Sequence, residues 1–205
     1  MLDLKVATLT VVKKADHIGR DEPMLWTMFI AFGLGPVNEN PTHPQYVITT
    51  DPVAGKLGKA GKGDRVNVPA AVGHFHDDKG GILLAGVLVV AFDNDLRTEH
   101  QIRDGYAAAA AKLNQAIIDH FPKYGVDPVG KDEKREIQGK IRTAIKEAFL
   151  ADSVILTVFG GKPIGGDSFT LALAEDHIDE SFSLTLNAKH DWAIYRVDGR
   201  LQFDR

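Results

Sequence analysis

The chain has 205 residues, 44% of them hydrophobic and 25% charged. That is enough to bury one sizeable core, and the balance is that of a folded globular protein rather than a disordered one. A formal net charge of −4 excludes the basic excess of a general nucleic-acid binder. The absence of cysteine excludes disulfides, a thiolate nucleophile and cysteine-ligated zinc or iron–sulfur sites. The N-terminus carries an acidic Asp3 and alternating polar residues in place of the basic start and apolar run of a signal peptide. The longest apolar run, Ile82 to Phe92, is too short to span a bilayer. These features lead us to expect a cytoplasmic protein, or one secreted without a signal peptide, with no transmembrane segment.

In chain order, residues 4–12 alternate weakly, with Ala7, Leu9 and Val11 on one side, and read as a strand. Residues 24–33 form an apolar run closed by Gly33 and read as a second, buried strand. The Pro- and Asn-rich stretch 35–44 reads as a loop. Short strands are expected at 45–50 and 64–69, flanking a Gly/Lys-rich segment that reads as a solvated hairpin connection. Residues 82–92 do not alternate at all, which predicts a central strand covered on both faces.

The period then changes. Thr98 and Gln101 stand three apart, as in a capping box. Tyr106, Ala110, Leu113, Ile117 and Phe121 follow at helical spacing until Pro122. A second helix is expected over about 132–151, with Ile137, Ile141, Ile145, Ala148 and Phe149 along one stripe. Strands return at 153–159, 168–173 and 181–186, the last with Phe182, Leu184 and Leu186 against Ser181, Ser183 and Thr185. Gly160-Gly161 and Gly165-Gly166 read as turns. Asp198-Gly199 reads as the hairpin turn between strands 192–197 and 200–203. The fold class is therefore mainly β (α+β by content). The order of elements suits an antiparallel β-sandwich in one domain, with a β core at 1–97 and 153–205 and a two-helix insertion at 98–152, ahead of an α+β layer.

Two acidic loops could hold a cation. Asp16, Asp21 and Glu22 lie within seven residues around Gly19, and Asp93 and Asp95, followed by Glu99, stand at the end of the central strand. Calcium takes six to eight oxygens, mostly carboxylates, from sharply bent loops. Residues two apart on a strand point the same way, so Asp93 and Asp95 can share an ion. The same residues also suit solvated turns, with Asp95 favoured by the start of the helix that follows.

The segment LTVVKKADHIGRDEP resembles the first strand and first calcium loop of C2 domains, and LVVAFDNDLRTEHQI resembles the third loop. Asp16 and Gly19 stand where that family has its first Asp and Gly, and Glu22-Pro23 falls on its Asp-Pro. Asp93 and Asp95 match the third loop, while His100 or Gln101 occupies the place of the later acidic ligand. The resemblance covers residues 4–33 and 82–102. It implies a non-enzymatic, C2-like module, with calcium as cofactor and an anionic membrane surface or a protein as partner.

Gly73-His74-Phe75-His76-Asp77-Asp78 is the rival centre. Two histidines one residue apart on a strand face the same way and can chelate a transition metal, with Asp77 or Asp78 adding an oxygen. Such a set would make the protein a metal-dependent enzyme, although no distant partner stands at a recognisable spacing. A polar loop before a buried strand accounts for the same residues. The loop Ala54–Asp64 carries Lys56, Lys59 and Lys62 among four glycines but lacks the order of a P-loop. Glu175 to Glu180 read as a solvated turn. A structural, self-assembling protein with the helices as its interface is the remaining reading.

Overall fold

A computed structural model describes residues 1–15, 19–33, 46–78, 80–93, 98–120, 163–188 and 192–205. The loop expected at 35–44, the second helix at 132–151 and the strand at 153–159 lie outside these residues. The described chain runs β1 (Leu2–Lys13), β2 (Pro23–Gly33), β3 (Val47–Thr49), β4 (Arg65–Asn67), α1 (Ala70–Gly73) and β5 (His74–Asp77). It continues with β6 (Ile82–Asp93), α2 (Glu99–His120), β7 (Pro163–Ala172), β8 (His177–Asn187) and β9 (Ile194–Asp204). Every pairing among them is antiparallel. Sheet I has the order β4-β1-β9-β8, with β5 also paired to β1, and sheet II has the order β3-β2-β6-β7. The two sheets pack face to face as a sandwich.

The core explains the two kinds of strand pattern. Between the sheets lie Leu4, Leu9, Val197 and Leu201 from sheet I and Leu25, Phe29, Val87 and Val89 from sheet II. The opposite face of sheet II presents Met24, Trp26, Met28, Leu88 and Phe92, and α2 covers these with Ile102, Tyr106, Ala109, Leu113 and Ile117. β2 and β6 are thus dry on both sides, and a strand dry on both sides has no reason to alternate. Trp26 fills the helix–sheet layer, with its ring 4.6 Å from Phe92 and 5.5 Å from Tyr106. The capping box forms as expected: Gln101 N–H donates to Thr98 Oγ1 at 3.3 Å, and Thr98 N–H donates to Gln101 Oε1 at 3.2 Å. The helical stripe also holds as far as Ile117; Phe121 lies outside the described residues.

Four expectations are corrected. First, Ala7 does not share a face with Leu9 and Val11: a register shift between Val6 and Thr8 leaves it exposed, with Val6 and Leu9 both inside. The weak alternation is the trace of that bulge. Second, β3 and β4 belong to different sheets, so the Gly/Lys segment crosses from one layer to the other instead of closing a hairpin.

Third, Asp198-Gly199 is not a turn but the middle of β9, and the β8–β9 connection falls at 188–193, where Ala188 N–H donates to Ala193 O. Glycine is needed at 199 for lack of space, since a Cβ there would sit 2.2 Å from the Phe182 ring and 2.3 Å from Lys5 O. Fourth, Gly165-Gly166 lie within β7. Gly165 has φ +155 and leaves no room for a Cβ, which would fall 2.6 Å from Asn187 O. Gly165 and Gly199 record close approach between strands, which a turn-based reading cannot distinguish from a bend.

Candidate metal centre

Residues 74–77 form a short strand because Phe75 anchors them. Its side chain packs on the inter-sheet core, stacked 5.8 Å from Phe29. Period-two alternation then sends His74 and His76 to the outer face of sheet I. The antiparallel register sets Asp3 opposite His76 and Lys5 opposite His74. Asp3 is therefore the distant carboxylate that the sequence did not disclose. His74 Nε2 lies 2.9 Å from Asp3 Oδ2, and His76 Nδ1 lies 3.5 Å from the same oxygen. One atom from each of the three side chains falls within 4.8 Å of the others.

Tetrahedral zinc with bonds of about 2.0–2.1 Å sets its ligands roughly 3.3 Å apart. The two separations from Asp3 Oδ2, 2.9 and 3.5 Å, bracket that value. Two imidazoles and one carboxylate are also the donor set that borderline divalent metals prefer. Asp77 points to the other side of β5, with Phe75, and the group of three includes neither it nor Asp78. Lys5 Nζ sits 3.0 Å from Asp3 Oδ1, so each carboxylate oxygen has its own neighbour. Burial opposes ionisation of Asp3, but hydrogen bonds from His74 and Lys5 and their positive charge outweigh it. They hold the carboxyl below its ordinary range.

Of the loop residues, Asp16 and Asp95 lie outside the described residues. The strands that bear the two loops are neighbours, with Pro23 opposite Asp93, and Glu22 N–H donates to Asp93 Oδ1 at 3.1 Å. Glu22 extends to Lys59, 3.7 Å away, and both side chains are exposed. Asp21 is fully buried. Its Oδ2 accepts the Tyr195 hydroxyl at 2.8 Å and Ala15 N–H at 2.8 Å, and its backbone pairs with Ala60. That carboxylate ties the entry of β2 to β9 across the sandwich. Glu99 opens α2 and is exposed. Among the described residues, the Asp3/His74/His76 group alone brings three such donors together.

The signal that would have found Asp3 is the register itself. Pairing Leu2 with Asp77 places Asp3, Lys5, His74 and His76 on one face, but β1 and β5 are separated by some sixty residues of intervening chain. No protein-family model, curated protein or solved structure matches this chain. Among the described residues, no helix is long and apolar enough to cross a membrane.

Proposed function

We propose that this protein binds a divalent transition metal on a β-sandwich, with Asp3, His74 and His76 as its protein ligands. The observation that carries this reading is the convergence of three donor atoms within 4.8 Å from two strands distant in the chain. Three protein ligands leave a coordination position open, the arrangement through which zinc and related ions activate a bound water or polarise an oxygen. The centre faces solvent, so that position is accessible. Titrating metal-free protein with zinc by calorimetry tests the reading. One ion should bind per chain, and Asp3→Ala, His74→Ala and His76→Ala should each weaken binding by more than about 100-fold, the upper end of the loss from outer-shell partners alone. Unchanged zinc binding in the His74→Ala/His76→Ala double variant would overturn it.

A second reading is a C2-like module that binds calcium between the loops at 16–22 and 93–99 and meets an anionic lipid or a protein partner. What supports it is the Glu22 N–H to Asp93 contact, which sets the roots of both loops side by side. A bound ion would relieve repulsion between the carboxylates and stabilise the fold by mass action. Calcium at millimolar concentration should then raise the melting temperature of the wild type and leave an Asp93→Asn/Asp95→Asn variant unmoved. An equal shift in both, or none in either, refutes it.

A further inference from the structure

We propose that the open position of this centre takes an anionic oxygen, from a phosphate or a carboxylate, shared between the metal and the Lys5 ammonium. The inference rests on the metal-binding reading above. A divalent ion held by one carboxylate and two neutral imidazoles keeps a net charge of +1, which favours an anion in the remaining position. Lys5 adds a second positive charge at the edge of the first shell. Its Nζ lies 3.0 Å from Asp3 Oδ1, with 52% of the side chain exposed.

With Asp3 Oδ2 turned to the metal, Oδ1 takes one ammonium proton and leaves two for a ligand. The register strengthens the argument. Lys5 stands between His74 of β5 and Arg200 of β9, so a row across three adjacent strands sets two cationic side chains in line with one metal ligand. Arg200 is oriented by its ion pair with Asp179 of β8.

Next to Arg200, strands β1, β4, β8 and β9 form an open depression of about 420 Å³ lined by Ala7, Arg65, Ser181, Ser183, Asp198 and Arg200. It is rooted at the β1 bulge. Its hydroxyls and charges suit the polar remainder of an organic anion.

The test uses the full chain loaded with one equivalent of zinc and freed of excess metal. Inorganic phosphate and acetate are titrated separately into this form, into the metal-free form and into a Lys5→Met variant that still takes up one zinc. At least one anion should bind the loaded wild type, at least tenfold more weakly the variant, and not measurably the metal-free protein; the two arms tell a phosphate from a carboxylate ligand. Stoichiometric zinc uptake with no binding of either anion overturns the inference and leaves the metal reading standing. Equal affinity in Lys5→Met or in metal-free protein also overturns it. Failure of the wild type to take up zinc removes the metal reading itself, and the inference with it.

Discussion

The two sheets of this sandwich do different work. Sheet II is apolar on both faces, closed on one side by sheet I and on the other by α2. Sheet I is apolar on its inner face alone, and its outer face carries Asp3, Lys5, His74, His76, Arg196, Asp198 and Arg200. In the dry layer the Tyr106 hydroxyl is used internally. Tyr106 OH donates to Thr27 O at 2.6 Å and accepts Thr50 N–H at 2.7 Å, pinning helix to sheet. On the wet face, by contrast, a polar side chain can exchange its partner for a ligand at little cost, and there a carboxylate and two imidazoles converge. The three-donor group thus lies on the wet face of sheet I, whereas sheet II is buried on both faces.

That division can be broken, and the largest effects should come from the dry layers. Phe29→Ala and Trp26→Ala remove fully buried rings, and each should cost about 3–5 kcal/mol in urea denaturation. A smaller loss would mean that the layer collapses around the cavity. Tyr106→Phe leaves Thr50 N–H without its hydroxyl acceptor inside the helix–sheet layer, and about 1–3 kcal/mol should be lost.

On the wet face, His74→Ala and His76→Ala should stay within about 0.5 kcal/mol of the wild type in metal-free protein. They should abolish the stabilisation that zinc gives the wild type. If either destabilised the metal-free fold as much as Phe29→Ala, the histidines would be structural and the contrast between sheets would fail.

Acid sharpens the contrast further. Because the Asp3 carboxyl is held below its ordinary value in the folded chain, its contribution is complete above the unfolded value and is lost as pH falls through the folded one. The stability difference between wild type and Asp3→Asn should therefore shrink below about pH 4. The smallest effect is expected at His177, on the outer rim. Its hydrogen bond and ion pair with Asp204 raise its pKa, so its NMR titration midpoint should lie above about 6.5 and fall in Asp204→Asn. Both side chains being exposed, the pair should leave the melting temperature unmoved.

Much of the fold was legible in one dimension because burial imposes a period. The apolar run at 24–33 announced a buried strand and that at 82–92 a strand covered on both faces, Phe182, Leu184 and Leu186 announced one wet face, and Thr98 with Gln101 announced a helix start. These signals are local, since each residue reports its own surroundings. The misread glycines were equally local in appearance, but their cause was not. Gly199 yields space to Phe182, seventeen residues away, and Gly165 yields it to Asn187, twenty-two away.

The candidate centre was half legible. His74 and His76 alternate with Phe75, which was enough to aim them at one face. Asp3 had no such marker, because its meaning comes from lying across the β1–β5 register from His76. Sequence by itself thus determined the layers, through the free energy of burying apolar side chains at a fixed period. Tertiary structure alone decided which strand pairs with which, and hence which charged groups meet: the apolar pattern fixes the face each strand buries and so restricts its register, but it does not name the partner strand.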